Sequence, residues 1–184
     1  MAHQNEGIVL LKMKYSRTLG RFSAVCALIM GLLGINLVTA ESASADYGWF
    51  QFKNVGTSQC MHASSGGGAG AWVTQEWCRY DEMAQRWTWG KDSQGRWILV
   101  NWQGKCLDSY NGQNPGTVIV WTCNGADSQT WNFGSNPGML EPRGGAFLGR
   151  AIEPPGEAVN PGAQLIMWPL NATIFQRWVL YIPE

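Results

Sequence analysis

The sequence predicts an all-β domain of three similar units, each about 45 residues long, preceded by an export signal. A Gln-x-Trp triplet recurs three times, and another Trp stands ten residues before the Trp of each triplet. Cys residues recur with nearly the same period. After the N-terminal segment, no window shows a 3.6-residue apolar stripe, and Gly and Pro interrupt the chain too often for long helices.

The first 45 residues have the three-part pattern of a secretory signal peptide. A basic and otherwise polar start precedes an apolar run at 22–38, and small-residue cleavage sites of the A-x-A kind follow it. We expect cleavage after Ala45, with Ala40 as the alternative site and Met13 as an alternative start. A membrane anchor is less favoured, because about 17 apolar residues are at the short end for a span. The protein is then expected to be extracellular.

The composition of residues 46–184 argues against several classes of partner. This part holds nine Lys and Arg against eleven Asp and Glu, a net formal charge of −2. No basic field is present for nucleic acid or for an anionic membrane. Four of the five Cys lie here, and an even number of Cys in an exported domain predicts two disulfides. The length suits one domain with its own core.

The closing triplets divide this part into units 46–90, 91–137 and 138–184. The Trp-to-Trp intervals are 44 and 47 residues, a near-constant period shared by three triplets. The triplets are Gln85-Arg86-Trp87, Gln129-Thr130-Trp131 and Gln176-Arg177-Trp178, and the preceding Trp residues are Trp77, Trp121 and Trp168.

Short β-rich runs alternate with turns inside the units. The first unit opens with an aromatic run at 49–53 and the second with an apolar run at 96–100. A β-branched run at 117–121 follows a turn at 112–116 that is rich in Gly, Asn and Pro. The Gly-rich segment at 64–70 is predicted to be a flexible loop.

Three units of short strands with a closing Gln-x-Trp resemble the ricin B-type lectin domain. That family includes lectin chains of plant toxins and carbohydrate-binding modules attached to bacterial glycosidases, and the resemblance covers residues 46–184. It implies a β-trefoil with pseudo-threefold symmetry, in which twelve strands form a six-stranded barrel capped by three hairpins. It implies disulfides Cys60–Cys78 and Cys106–Cys123. It also implies structural roles in the core and across each unit for Trp87, Trp131, Trp178, Gln85 and Gln176.

The middle unit matches the sugar-binding pattern of this family well. A sugar site requires an aromatic platform for the C–H face of the ring and a carboxylate that accepts hydroxyl groups. The resemblance assigns the carboxylate to Asp108, the platform to Trp121, a further polar contact to Asn124 and support to Gln129. The alternatives are that Asp108 caps a turn and that Trp121 packs in the core. Two positions depart from the family pattern and reduce the expected polar contacts, namely Ile119 and Ser128.

The first unit matches this pattern less well. His62 stands where the carboxylate is expected, while Gln75 and Trp77 keep the polar and aromatic positions. Cys78 follows Trp77 directly, one residue earlier than the middle unit would suggest. We therefore treat this unit as an unfavoured secondary site.

The third unit has no Cys and is a secondary candidate for sugar binding. Glu153 stands at the carboxylate position, and Trp168 and Asn171 align with Trp121 and Asn124. Glu adds a methylene that shifts the expected place of the carboxylate, and the loop lacks a disulfide to constrain it. The alternative is a purely structural repeat, with Ala151 and Leu170 in place of the disulfide.

The sequence predicts a binding module and not an enzyme. Residues 46–184 contain one histidine, His62, so a Ser-His-Asp triad or a metal site of several His and Cys ligands is not expected. No spacing brings two carboxylates across a cleft for glycoside hydrolysis. No phosphate-binding loop is present. We expect no cofactor and no metal.

The favoured function is that of a secreted carbohydrate-binding module. By resemblance, its ligand is a galactose- or xylose-type glycan or polysaccharide, and a separate hydrolase or toxin subunit is a candidate partner. The rival function is a protein-binding trefoil, an inhibitor or a toxin-associated partner with a degenerate sugar site, since fold alone does not determine function.

Overall fold

The computed structural model describes residues 48–109, 116–133 and 138–182. The predicted signal peptide and its cleavage sites lie outside these ranges. So does the predicted turn at 112–116, except for Gly116.

The described residues form twelve short strands, with no α-helix among them. The strands are β1 (Gln51–Asn54), β2 (Cys60–Ala63), β3 (Val73–Glu76), β4 (Trp87–Lys91), β5 (Trp97–Asn101), β6 (Cys106–Asp108), β7 (Ile119–Trp121), β8 (Trp131–Phe133), β9 (Leu140–Pro142), β10 (Arg150–Glu153), β11 (Ile166–Pro169) and β12 (Trp178–Tyr181). Single-turn 3₁₀ helices occur at Ser65–Gly67, Met83–Gln85, Asp127–Gln129, Gly145–Phe147, Pro155–Glu157 and Ile174–Gln176. In these ranges, no helix is long and apolar enough to cross a membrane.

The strands follow one pattern repeated three times, and their pairings are antiparallel. The last strand of each group of four pairs with the first strand of the next, as β4–β5, β8–β9 and β12–β1. The two middle strands of each group form a hairpin, as β2–β3, β6–β7 and β10–β11. This arrangement is a β-trefoil, so the predicted fold class is confirmed.

The Trp of each Gln-x-Trp triplet lies in the core with no exposed surface. A large ring buried at three related positions supplies much of the apolar surface that stabilises a small β domain. Each indole also donates a hydrogen bond from Nε1 to a backbone carbonyl of its own unit's hairpin. The pairs are Trp87 with Met61 (3.1 Å), Trp131 with Leu107 (3.0 Å) and Trp178 with Ile152 (3.0 Å).

The Gln of each triplet is also fully buried and joins backbone groups that would otherwise lack partners. Gln85 donates from Nε2 to Trp77 O (2.8 Å) and accepts from Arg79 N at Oε1 (3.0 Å). Gln176 donates from Nε2 to Pro169 O (2.9 Å) and accepts from Asn171 N at Oε1 (3.0 Å).

Each unit also contacts the next through an isolated β-bridge, and the three bridges form a cyclic pattern. Isolated antiparallel bridges join Trp72 to Ile119, Thr117 to Ile166, and Gln164 to Thr74. Gly116 lies at one of these contacts with φ at 85°, and a Cβ there would stand 2.5 Å from Met167 O. Only glycine fits both the left-handed backbone and the close approach.

Two disulfides join the strands and loops of the first two units, Cys60–Cys78 and Cys106–Cys123. The predicted pairing is confirmed. Each bond closes a similar loop, with sequence separations of 18 and 17 between the paired Cys residues.

The Gly-rich segment 64–70, predicted to be a flexible loop, has several hydrogen-bond partners outside the segment. Ser64 donates to Trp72 O from both its backbone N (2.9 Å) and its Oγ (2.8 Å). Asn101 Nδ2 donates to Gly67 O (2.8 Å). Hydrogen bonds from outside the segment therefore hold its backbone, which composition alone does not reveal.

Candidate functional site

The middle-unit hairpin brings a carboxylate and an indole to one face. Asp108 stands opposite Ile119, and Cys106 stands opposite Trp121. Because side chains alternate along a strand, these four residues share a face, while the residues between them pack into the core. The hairpin thus places the two predicted sugar-binding groups on adjacent strands of the same surface.

Gln129 links the carboxylate of Asp108 to the loop that follows β7. Asp108 is only 6% exposed, and its Oδ2 accepts a hydrogen bond from Gln129 Nε2 (3.0 Å). Gln129 Nε2 also donates to Thr122 O (3.0 Å), and its Oε1 accepts from Asn124 N (2.9 Å). Within the described ranges, the donor to this carboxylate is the side chain of Gln129.

Trp121 projects outward from the hairpin, with 44% of its surface exposed. The alternative of simple core packing therefore does not describe this residue. Its ring lies close to Gly70 of the first unit, where a Cβ would stand 3.4 Å from Cζ3. Gly70 has φ at 87°, so the backbone conformation favours glycine there.

Asn124 lies exposed at the start of the loop after the disulfide. Its Oδ1 accepts a hydrogen bond from Ala126 N (2.9 Å) and shapes the turn. Asn124 can still offer a ligand the donors of Nδ2 and the second lone pair of Oδ1.

Arg96 fixes the far end of the same loop. Its Nη2 donates to Gly125 O (2.5 Å), its Nη1 to Asp127 Oδ1 (2.6 Å) and its Nε to Asp92 Oδ2 (2.7 Å). Burial raises the pKa of Asp92, but hydrogen bonds from Arg96 and a neighbouring backbone amide outweigh it, so the net shift is downward. Asp92 is thus stabilised as a carboxylate, and the hydrogen bonds of Arg96 tie the loop that carries Asn124 to the β4–β5 turn.

The third unit repeats this geometry without a disulfide. Glu153 stands opposite Ile166 and Ala151 opposite Trp168, which is 45% exposed. Asn171 N donates to Gln176 Oε1 as Asn124 N does to Gln129.

Glu153 differs from Asp108 in its hydrogen bonding. Its side chain is only 4% exposed, and its Oε2 is buried without a hydrogen-bond partner. Burial raises the pKa of Glu153, the Gln176 side chain opposes that shift, and the charge of Glu157 adds to it. The carboxyl of the third unit therefore holds its proton more strongly than an ordinary glutamate.

The first unit places Glu76, and not Trp77, at the position of Trp121 and Trp168. Glu76 is the residue opposite Cys60, and Trp77 follows it. The Gln85 amide bonds Trp77 O, where Gln129 bonds Thr122 O, so Trp77 corresponds to Thr122. The sequence alignment is wrong here by one residue, because the loop between Cys78 and Gln85 is one residue longer than its counterpart and hides the offset.

The other polar residues of the first unit are engaged within the fold. Gln75 is fully buried, and its Nε2 donates to the carbonyls of Ala158 (2.7 Å) and Asn160 (3.1 Å). His62 Nδ1 lies 3.3 Å from Thr74 Oγ1. Burial lowers the pKa of His62, and the charges of Glu76 and Glu82 partly offset the shift. This unit offers a neutral imidazole where the middle unit offers a carboxylate.

Family comparison identifies the fold independently of these contacts. A family model for the ricin-type β-trefoil lectin domain matches residues 48–178. The chain belongs to this family. Its domains are carbohydrate-binding lectin modules and are typically non-catalytic. No curated protein matches the chain in sequence.

Several solved structures share the fold at low sequence identity. The designed threefold-symmetric protein ThreeFoil is 22% identical with a TM-score of 0.64, and the match covers 73% of this chain and 99% of that one. A ricin B-like lectin of Macrolepiota procera in complex with lactose is 16% identical with a TM-score of 0.57, covering 74% and 96%. An exo-β-1,3-galactanase of Clostridium thermocellum is 21% identical with a TM-score of 0.65, covering 76% of this chain and 31% of the longer enzyme.

The structure adds one residue that the sequence analysis missed. Trp72 is 58% exposed and stands opposite Ile119, next to the middle-unit hairpin. Nothing in the repeat pattern marks it, because this contact depends on how two different units pair.

Proposed function

We propose that the protein is a secreted lectin-like module that binds carbohydrate mainly through its middle unit. The observation that supports this proposal is the shared face of the β6–β7 hairpin, which carries a nearly buried carboxylate and a half-exposed indole. Asp108 and Trp121 are the principal contacts, with Asn124 as a donor and Gln129 as support.

The chemistry of these groups suits a pyranose ring. A carboxylate oxygen accepts strong hydrogen bonds from hydroxyl groups, and the Asp108 side chain already has one oxygen oriented by Gln129. The exposed face of Trp121 can cover the apolar C–H patch of the sugar. Asn124 Nδ2 supplies a donor for a further hydroxyl.

The third unit is a weaker secondary site in this proposal, and the first unit contributes little. Glu153, Trp168 and Asn171 are arranged as in the middle unit, but the carboxyl has a raised pKa and a longer side chain. In the first unit, His62 and Glu76 replace the carboxylate and the indole.

The proposed ligand is a galactose- or xylose-type glycan or polysaccharide. Support comes from structures that share the fold, since an earthworm R-type lectin domain is known in complex with GalNAc and a fungal lectin with lactose. We propose a separate hydrolase or toxin subunit as a partner, because the fold also occurs within a galactanase and a mosquitocidal holotoxin. We also propose that the chain itself has no catalytic activity.

The test is a glycan and polysaccharide binding panel with the variant Asp108→Ala beside the native protein. Removing the acceptor of two hydroxyl groups should weaken binding about tenfold or more, because hydrogen bonds to a charged group each contribute about 1.5–3 kcal/mol. Glu153→Ala is the matched variant in the third unit and should retain most of the binding. Thermal unfolding and intact disulfides establish that each variant is folded.

Two outcomes would contradict this proposal. Sugar binding that survives Asp108→Ala unchanged would remove the middle unit as the main site. Absence of binding to every sugar by a folded protein would favour the protein-binding trefoil instead.

Secretion is tested by expressing the whole chain and sequencing the N-terminus of the extracellular product. We expect cleavage after Ala45 or Ala40, giving the domain 46–184 with its three units. The two disulfides support an oxidising compartment. A product that stays in the membrane with an intact N-terminus would contradict cleavage.

A further inference from the structure

A segment of the first unit pairs with the middle-unit hairpin beside the proposed site. Residues 70–73 run antiparallel to β7, and Trp72 stands opposite Ile119. Two backbone hydrogen bonds of 2.9 Å flank this pair, one on each side. The surface around Asp108 therefore extends sideways onto the first unit.

Trp72 faces the same side as the groups of the proposed sugar site. Residues paired across two strands project to one face, so Trp72 shares the face of Ile119, and hence that of Asp108 and Trp121. Trp72 and Trp121 are diagonal neighbours, a relation in which Cβ atoms lie within about 8 Å. Both indoles are exposed, at 58% and 44%. Single exposed apolar residues are common, but two adjacent indoles on one face mark a binding surface.

A cleft of about 420 Å³ adjoins Trp72. Its size falls within the range of small-molecule sites, roughly 300–1,000 Å³. Gly70 belongs both to this cleft and to the contact with the Trp121 ring. The lining combines an indole, two hydroxyl groups and exposed peptide groups, and consists of Ser64, Ser65, Gly68, Ala69, Gly70, Ala71 and Trp72.

The pseudo-threefold symmetry shows that the fold does not require an indole at this place. The positions equivalent to Trp72 are Thr117, opposite Ile166, and Gln164, opposite Thr74. Among these three equivalent positions, the one with an aromatic side chain lies beside the middle unit. This platform adjoins the unit with the best-formed carboxylate and indole pair.

We propose that Trp72 and its cleft bind the second sugar residue of a chain whose first residue is bound by Asp108 and Trp121. The ligand is then an oligosaccharide or polysaccharide recognised across two units, and not an isolated monosaccharide. This inference rests on the proposed function of the middle unit.

The experiment compares affinity for short and long ligands by titration calorimetry. The probes are D-xylose with xylotetraose and D-galactose with galactotetraose, and the variants are Trp72→Ala, Trp72→Phe and Asp108→Ala. Trp49→Ala is the control, because Trp49 is exposed to a similar degree, 46%, and lies outside the cleft. Thermal unfolding of each variant is measured in parallel.

For its preferred series, the native protein should bind the tetrasaccharide about tenfold more tightly than the monosaccharide, as one added aromatic contact allows. Trp72→Ala should keep the monosaccharide affinity and lose most of that gain. Trp72→Phe should retain part of it, and Trp49→Ala should behave like the native protein.

The inference is overturned if Trp72→Ala keeps the full gain in affinity from monosaccharide to tetrasaccharide. It is also overturned if Trp72→Ala and Trp72→Phe, both folded like the native protein, weaken binding of the two ligands equally. Asp108→Ala separates this failure from failure of the proposed function. If Asp108→Ala binds normally, both proposals fall. If it abolishes binding while Trp72→Ala leaves the gain unchanged, only the second sugar position is lost.

Discussion

Asp108 and Glu153 occupy equivalent positions on their hairpins but have different surroundings. Asp108 accepts a hydrogen bond from Gln129, whereas the Oε2 of Glu153 is buried without a partner. Glu153 also has a hydrogen bond from Gln176, but its buried Oε2 leaves the charge poorly compensated. This is one reason why we expect the third unit to be the weaker sugar site.

Glu153→Gln should stabilise the protein at neutral pH. A carboxyl whose pKa is raised by folding contributes its full stability below the ordinary value of 4.5, and this contribution is lost as pH rises through the raised value. Chemical denaturation from pH 4 to pH 8 should show the variant gaining stability relative to the native protein as pH increases. The control is Asp81→Asn, which removes an exposed carboxylate. A difference that does not change with pH would contradict burial of the Glu153 charge.

At the scale of elements, side-chain contacts connect each hairpin to the loop that follows it. In the middle unit, the disulfide, Gln129 and Arg96 all restrain the loop that carries Asn124. The first unit has its own disulfide, but the shared face of its hairpin carries Glu76 and His62. Similar elements therefore hold different side chains at the same place.

Removing either disulfide should cost similar stability but affect binding differently. Replacing both Cys of one bond with Ala should lower the free energy of unfolding by about 2–4 kcal/mol, since the two closed loops are nearly equal in length. Sugar affinity should fall for Cys106→Ala with Cys123→Ala, and should be retained for Cys60→Ala with Cys78→Ala. Equal loss of affinity in both folded variants would contradict a site restricted to the middle unit.

At the scale of the whole molecule, three equivalent indoles hold the core together. Each donates its Nε1–H to a carbonyl at the same place in its unit's hairpin, with distances of 3.0 to 3.1 Å. All three units thus contribute a buried indole with the same hydrogen bond to the core, although the proposed binding surface lies mainly in one.

Trp87→Phe, Trp131→Phe and Trp178→Phe should each destabilise the protein by a similar amount. The expected cost is about 2–4 kcal/mol, because each change leaves a cavity and an unpaired buried carbonyl. Urea denaturation measures the three values under one condition. One position that proves far more tolerant than the other two would show that the units do not share the core equally.

Much of the fold was predictable from the sequence, because a buried Trp and its Gln are needed once per unit and so recur at a regular interval. The same regularity misled the alignment of the first unit, where a longer loop keeps Trp77 ten residues before Trp87 while moving Glu76 opposite Cys60. Two one-residue shifts that cancel leave the spacing along the chain unchanged. Strand register reveals such a shift, because it pairs each residue with its partner across the hairpin.

The sequence, with its family resemblance, predicted the three units, the two disulfides, and Asp108 and Trp121 as candidate groups, because each depends on residues within one unit. Only the tertiary structure decided that Trp121 projects into solvent, that Glu153 has a buried oxygen without a partner, and that Trp72 lies beside Ile119. These features arise where different parts of the chain pack together. Local spacing carries no information about such contacts, since pairing between units depends on the closed arrangement of all three.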